Sequence, residues 1–406
     1  MSDRRRKLPL RATTVGCVLL VGLGPATAAG AAPLADSAVL PQVVPSLDGT
    51  QCVKHSSRTA KATPWPQKLI GIERAHPLSE GGGVAVGVVD GGLDGDVPAL
   101  SGRVSGAHTD CSGHGTFLAG VVAAAHTPGV GFEGVAPRAR VIGATAKPDG
   151  YGGDADPDSV AAGIRSTIDR GAQVVLVGAS AVRSSGALKS AVAYAQEKNV
   201  VVVAGATDSG NRKVAYPAAY PKVVSVAAVD VEGAPLGAGG NTGRSAADGG
   251  AVARVDLTAP GDRVLSVGPG GGHFTGSGDA VAAAFVAGTA ALVRARDPHL
   301  SSDAVRERLR ATAVRSAGAV PDPVTGYGTV DPEGAVGALR AGDAAGGGTS
   351  AGGRDETAAY RADPAPEKVA SGPVWALVGG VAAVAAVVAM LAVLIPRGRA
   401  RGWRAP

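Results

Sequence analysis

Two residues in the first third of the chain have the types and surroundings that acid–base chemistry needs. Asp90 ends the apolar run of VAVGVVDGGLD, and His114 stands between glycines in DCSGHGTFLAGVVAA, where an apolar helix is predicted to start. Either residue alone is weak support for a catalytic site, because strand-end acids and isolated histidines are more often structural. As a pair they suit nucleophilic catalysis, in which a carboxylate orients an imidazole that takes the proton of an attacking hydroxyl.

The hydroxyl that such a pair would activate is missing from the stretch where it is expected. GSGDAVAAAFVAG runs into TAALVRARDPHL, which predicts an Ala-rich helix that begins near Asp279. Many hydrolases keep a nucleophile at a helix start of this kind, and here Ala280 occupies that position. Ser277 lies three residues earlier, on the turn before the helix.

Apolar runs alternate with helical segments around these residues. The runs are VAVGVVDGG, ARVIGATA, AQVVLVGAS, VVVVAGA and KVVSVAAVD. Short, near-continuous apolar runs are typical of strands that are covered on both faces. PDSVAAGIRSTIDRG and SGALKSAVAYAQEKN lie between them and predict helices. The alternation predicts an α/β fold with a mostly parallel central sheet flanked by helices, and such sheets carry working residues at their strand ends.

The two ends of the chain predict export and a membrane anchor. The first 28 residues combine a basic start, the apolar run TTVGCVLLVGLG and a small-residue stretch, as secretory signal peptides do. Residues 375–395 form 21 residues without a charge, long enough to cross a bilayer, and the basic RGRARGWR follows. By the positive-inside rule we expect a single-pass cell-membrane protein with its main domain extracellular and its tail cytoplasmic.

The charge distribution does not indicate a nucleic-acid partner. The formal net charge is +5, but residues 1–28 and residues 397–406 each carry +4, which leaves −3 for the part between them. The basic character therefore belongs to the ends. With 406 residues, of which 45% are hydrophobic, the chain can bury one large core or two ordinary ones.

The cysteines predict a disulfide. Cys17 lies in the predicted signal peptide, which leaves Cys52 and Cys111 in an oxidising compartment, where an even pair usually bridges. Two free buried thiols are the alternative.

Metal binding by HTDCSGH is a weaker alternative to the catalytic interpretation. It would use His108, Asp110, Cys111 and His114, but Cys111 is better explained by Cys52 and the loop fixes no ligand geometry. The glycines of GGGVAVG precede a strand, and no helix follows them, so this stretch does not predict a phosphate loop. We expect neither a metal nor a cofactor.

These features divide the chain into six predicted parts. They are a signal peptide (1–28), an N-terminal arm (29–63), the α/β domain (64–340), a Gly/Ala-rich flexible linker (341–373), a transmembrane helix (374–396) and a basic cytoplasmic tail (397–406).

Over residues 64–340 the chain resembles the subtilases, peptidase family S8, whose catalytic residues follow the order Asp, His, Ser. GVAPRARVIGATA, YPAAYPKVVSVAAVD, VDLTAPGDRVLS and GYGTVDPEGAV are similar to segments of that family. More narrowly, the chain resembles the mycosins, which are membrane-anchored subtilases associated with type VII secretion. The shared features are the cysteine-bearing arm, the cysteine beside the histidine, the single span and the basic tail. The resemblance implies a subtilisin-like three-layer domain with Asp90 and His114 as catalytic residues.

Two catalytic positions depart from the family pattern. The motif G-T-S-x-A-A-P-x-V-A-G aligns with GDAVAAAFVAG, which places Ala280 at the serine and Asp279 at the threonine. Asp208, in VVVVAGATDSG, replaces the asparagine that donates to the oxyanion, and an ionised carboxylate can only accept hydrogen bonds. We expect Asp279 to act instead as an N-cap that stabilises the helix.

The resemblance also implies a peptide-binding strand and two possible functions. LVGAS aligns with the family's N-M-S-L-G, so Leu176, Val177 and Gly178 are expected to offer backbone to an extended protein or peptide ligand. The departures imply a catalytically impaired pseudoprotease that scaffolds or binds, with type VII secretion membrane components as partners. The alternative is an active serine endopeptidase that cleaves exported proteins through Ser277 or another local serine.

Overall fold

Seven stretches of the chain are described by the computed structural model: residues 40–43, 52–106, 108–146, 154–208, 213–236, 253–315 and 320–338. They belong to the first of two compact units, Met1–Leu339; the second is Arg340–Pro406. The predicted signal peptide, linker, transmembrane helix and tail lie outside the described residues. Within the described stretches, no helix combines the length and the apolar composition that a membrane crossing requires.

A seven-stranded sheet forms the centre of the first unit, in the order β2-β3-β1-β4-β5-β6-β7. Every neighbouring pair in it is parallel. The strands are β1 (Ala85–Asp90), β2 (Val104–Ser105), β3 (Arg140–Thr145), β4 (Val174–Val177), β5 (Val201–Gly205), β6 (Val224–Val229) and β7 (Leu257–Pro260). All five apolar runs that predicted strands form strands, which confirms the α/β fold with a mostly parallel sheet.

Helices cover both faces of the sheet. They are α1 (Trp65–Ile70), α2 (Ile72–Ala75), α3 (His114–Ala123), α4 (Pro157–Asp169), α5 (Gly186–Glu197), α6 (Asp279–Arg296), α7 (Ser302–Thr312) and α8 (Pro332–Gly337). Because side chains alternate along a strand, Val86 and Val88 join the core cluster that contains α3 and α6, whereas Val89 joins the cluster that contains α4 and α5. The result is three layers, with α3 and α6 packed together on one face.

The N-terminal arm adds to a small second sheet. β8 (Val264–Val267) and β9 (His273–Gly276) form an antiparallel hairpin, and the arm pairs with β9 in parallel at Gln42 and Thr275. The predicted disulfide between Cys52 and Cys111 is present, and the Val53 N–H donates to the Cys111 carbonyl at 2.8 Å. The arm is therefore tied to the loop that leads into α3.

Candidate active site

The predicted carboxylate and imidazole meet in a direct hydrogen bond. His114 Nδ1 lies 2.9 Å from Asp90 Oδ2, and the two side chains are only 3% and 4% exposed. Asp90 is the last residue of β1 and His114 the first of α3, so a strand end and a helix start are joined. A proton on Nδ1 that is donated to Asp90 leaves Nε2 as the nitrogen that can accept a proton from a hydroxyl.

Glycine makes room for the Asp90 carboxylate. A Cβ on Gly178 would lie 2.1 Å from Asp90 Oδ2, so only glycine fits beyond the end of β4. The Gly91 N–H donates to Asp90 Oδ1 at 2.7 Å. The buried carboxylate thus has a backbone donor on one oxygen and the imidazole on the other, as a charge out of water requires.

Asp110, a candidate metal ligand in the sequence, holds the start of α3. Its Oδ1 accepts from the Gly113 N–H at 2.9 Å, and its Oδ2 accepts from the N–H and hydroxyl of Thr116 at 2.8 and 2.6 Å. Burial raises the pKa of the Asp110 carboxyl and the charge of Asp90 adds to this, whereas the hydrogen bonds from Thr116 oppose it. Its position four residues before His114, the first residue of α3, is the signal in the sequence that points to this role.

The start of α6 lies against the carboxyl end of β5. Gly278 precedes the helix at φ 127°, and a Cβ on Gly205 would lie 2.8 Å from the Ala280 nitrogen. Ala280 is the second residue of α6 and is 4% exposed. A buried methyl group therefore occupies the first turn at the edge of the sheet where β1 also ends.

The prediction that Asp279 caps α6 is wrong. Gly278 is the N-cap, and the Asp279 side chain instead bonds to the segment after β5 and to β6. Its Oδ2 accepts from the N–H and hydroxyl of Thr207 at 3.1 and 2.7 Å, and its Oδ1 accepts from the buried Ala228 N–H at 2.8 Å. Asp279 therefore ties α6 to the residues that follow β5 and to β6.

Asp208 is bonded to Lys213 beyond the end of β5. Its Oδ1 accepts from the Lys213 N–H at 2.5 Å, and its own N–H donates to the Lys213 carbonyl at 2.9 Å. The side chain is almost fully buried. An ionised carboxylate held in this way has no proton with which to stabilise a developing negative charge.

The prediction that Leu176 and Val177 offer backbone to a peptide is wrong. Both lie inside β4, which pairs with β1 on one side and β5 on the other. Since parallel neighbours on both sides use the strand's backbone groups, neither residue can pair with a ligand. The Gly178 N–H is also engaged, at 2.9 Å from the Val89 carbonyl, and Gly178 serves the site through the space beside Asp90.

Ser277 is held within the turn before α6. Its half-buried hydroxyl accepts from the Arg263 N–H at 2.8 Å and donates to Asp262 Oδ1 at 3.4 Å. The neighbouring Asp262 carboxylate also pairs with the Arg263 guanidinium, at 3.2 Å. These bonds fix the serine to the residues after β7.

The HTDCSGH loop carries structure and not a ligand cage. Cys111 is bonded to Cys52, and both oxygens of Asp110 accept from the start of α3. Across the described part of the chain, no group of three or more His, Cys, Asp or Glu side chains is arranged to hold a metal ion.

The chain matches a protein-family profile and several individual relatives. The profile of the Subtilase family matches residues 81–328. Thermitase from Thermoactinomyces vulgaris is 31% identical over 285 residues, which cover 68% of this chain and 94% of thermitase. Mycosin-1 from Mycobacterium tuberculosis is 30% identical over 320 residues, which cover 66% of this chain and 72% of mycosin-1.

Two solved structures are similar to this fold. One is the serine protease MycP1, described as an essential component of the type VII (ESX-1) secretion system, with a TM-score of 0.59 and 26% identity over 73% of this chain and 99% of MycP1. The other is the MycP3 protease from the type VII (ESX-3) secretion system, with a TM-score of 0.57 and 28% identity over 73% of this chain and 94% of MycP3.

The contacts of Asp279 predict a large effect on stability. Asp279→Ala should lower the free energy of unfolding by about 2–4 kcal/mol, because it leaves the N–H groups of Thr207 and Ala228 without their acceptor. Urea denaturation of the variant and the parent measures the difference. The matched control is Asp158→Ala, an exposed acid in the first turn of α4, which should change stability by less than about 0.5 kcal/mol. An equal effect of the two substitutions would contradict the assigned role.

Proposed function

Because this chain belongs to the subtilase family, we propose that it is a catalytically impaired member that acts as a binding or scaffolding protein at the cell surface. The observation that carries the proposal is the first turn of α6, where Asp279 and Ala280 stand at the positions that align with the threonine and serine of the family motif. The methyl group of Ala280 cannot attack a carbonyl. Under this proposal the subtilase fold is retained and its peptidase chemistry is lost.

The loss of one hydroxyl is large on the scale of catalysis. The imidazole of His114 can activate an attacking hydroxyl but cannot replace it, so no acyl-enzyme forms without the serine. Removal of the serine from subtilisin lowers kcat by a factor on the order of 10⁶. An intact pair of Asp90 and His114 therefore does not by itself support peptidase activity.

Asp208 supports the same proposal independently. A tetrahedral intermediate needs hydrogen-bond donors at its oxyanion, and a single donor contributes about 10²–10³ to kcat. Asp208 aligns with the asparagine that supplies such a donor in the family, and its carboxylate is turned toward the Lys213 N–H. A negative charge near that position opposes the oxyanion.

An active endopeptidase is the competing function, and it is favoured by the activity of the relatives, which are described as proteases. It requires Ser277 or another local serine to act as the nucleophile. The hydroxyl of Ser277 is committed to Arg263 and Asp262 on the turn before α6, so this function needs the turn to be rebuilt. The labelling experiment below decides between the two.

The proposed partners and location follow from the relatives and from the ends of the sequence. MycP1 is described as an essential component of a type VII secretion system, so we infer that this chain engages protein components of such a system. The predicted span over residues 374–396 would hold it in the membrane, with residues 29–373 outside the cell. Binding of this kind requires an exposed surface and a fixed location, and it does not require a nucleophile.

Active-site labelling tests the loss of chemistry. The full-length parent should not react with a fluorophosphonate, whereas Ala280→Ser should react slowly. Adding Asp208→Asn and Asp279→Thr should raise the labelling rate at least about tenfold further, since an oxyanion donor is restored and a carboxylate removed. The three proteins are compared at equal folded concentration.

Two variants serve as controls for the labelling. His114→Ala in the triple variant should abolish the reaction, because the general base is removed. Ser277→Ala in the parent should change nothing. Labelling of the parent that disappears with Ser277→Ala would refute the proposal and establish the endopeptidase.

Genetic replacement tests the scaffolding role. Deletion of the gene should reduce secretion through the associated system, whereas a chromosomal His114→Ala allele should leave secretion at the parental level, because binding does not use the imidazole. Immunoblotting must show equal amounts of parent and variant. A secretion defect in a normally abundant His114→Ala variant would indicate that enzymatic activity remains.

Protease treatment of cells tests the orientation. We expect protease added to intact cells to digest the α/β domain and to spare an epitope tag placed after Pro406, since the basic flank holds the tail inside. A cytoplasmic protein in the same sample must remain intact. Digestion of the domain only after permeabilisation would overturn the proposed orientation.

A further inference from the structure

A second buried carboxylate lies beside the Asp90–His114 pair. Asp110 is 6% exposed, although it is not part of the catalytic residues of the family motif. Its two oxygens accept four hydrogen bonds, of which three come from Gly113 and Thr116 and the fourth comes from the Ser112 hydroxyl at 3.2 Å. Four donors around one carboxyl group match the ionised form, which only accepts.

These bonds satisfy the start of α3 and fix the backbone of the histidine. The first N–H groups of a helix have no partner within the helix. Asp110 takes those of Gly113 and Thr116 directly, and it orients the Ser112 hydroxyl, which accepts from the His114 N–H at 3.2 Å. The backbone on both sides of the imidazole is therefore set by one side chain.

The same carboxylate links α3 to the segment that follows β1. The Thr116 hydroxyl donates to Asp110 and also accepts from the Asp94 N–H at 2.9 Å. A Cβ on Gly92 would lie 2.1 Å from the Thr109 carbonyl oxygen, so the two segments are in close contact. The chain after Asp90 and the chain before His114 thus meet at Asp110.

We propose that Asp110 is a positioning residue that fixes the hydrogen bond between His114 and Asp90 through the backbone of α3 and the segment after β1. In this role Asp110 acts through the backbone and not through the imidazole nitrogens. The disulfide at Cys111 ties the same loop to the N-terminal arm. The role does not depend on Ala280, since the Asp90–His114 bond is present without a serine.

The test uses Asp110→Asn, which keeps the shape of the side chain but turns an NH₂ group toward N–H donors. In the full-length protein with ¹⁵N-labelled histidine, NMR measures the solvent exchange rate of the Nδ1 proton, which is assigned by its absence in His114→Ala. The rate should rise at least about tenfold, since a disrupted buried network opens by a comparable factor. Ser112→Ala removes the bond to the His114 N–H and one of the four bonds to Asp110. It should raise the rate by less than Asp110→Asn does, and it serves as the readout if Asp110→Asn does not fold.

The matched control is Asp156→Ala, which removes the side chain that caps α4 through the Ser159 N–H. It should leave the exchange rate of the His114 proton unchanged. Parental exchange in both Asp110→Asn and Ser112→Ala would overturn the proposal, as would an equal acceleration in Asp156→Ala, which would show general loosening. The measurement involves neither labelling nor secretion, so its failure is distinct from a failure of the proposed function.

Discussion

The hydrogen bond between Asp90 and His114 constrains the elements around it. A carboxylate that is 4% exposed is stable only when its neighbours replace the water that it has lost. This requires β1 to end where the Gly91 N–H can turn back, α3 to begin at the imidazole, and Gly178 to lack a side chain beyond β4. The parallel arrangement of the sheet serves the same site, because it brings the carboxyl ends of β1 and β4 to one edge.

The parts of the fold that repeat a local pattern could be predicted from the sequence. Near-continuous apolar runs predict β1, β3, β4, β5 and β6 correctly, because burial on both faces makes nearly every residue of a strand apolar. The disulfide between Cys52 and Cys111 could be predicted because the compartment and the even count leave few choices. The pairing of Asp90 with His114 is implied by the resemblance to the subtilases, in which an Asp and a His follow in this order.

The parts that depend on distant partners could not be predicted in the same way. Asp279 has the local signature of an N-cap, yet its acceptor oxygens serve Thr207 and Ala228, 72 and 51 positions away. The alignment alone indicates a ligand role for Leu176, and only the sheet order shows that both edges of its strand are occupied. Asp279 also illustrates how a site can change under the proposed function: a carboxylate that opposes an oxyanion is a good acceptor for backbone donors, so stability and reactivity favour different residues there.

The pairing of the arm with the β8–β9 hairpin has a consequence for the order in which the chain can fold. The Ala60 N–H donates to the imidazole of His273, 213 positions later, and Gln42 pairs with Thr275. These contacts cannot form until most of the domain has left the ribosome, and contacts of such high sequence separation form slowly. The arm precedes the hairpin in the chain and is therefore among the last segments to settle, and until then the edge of β9 is open to pairing with another chain.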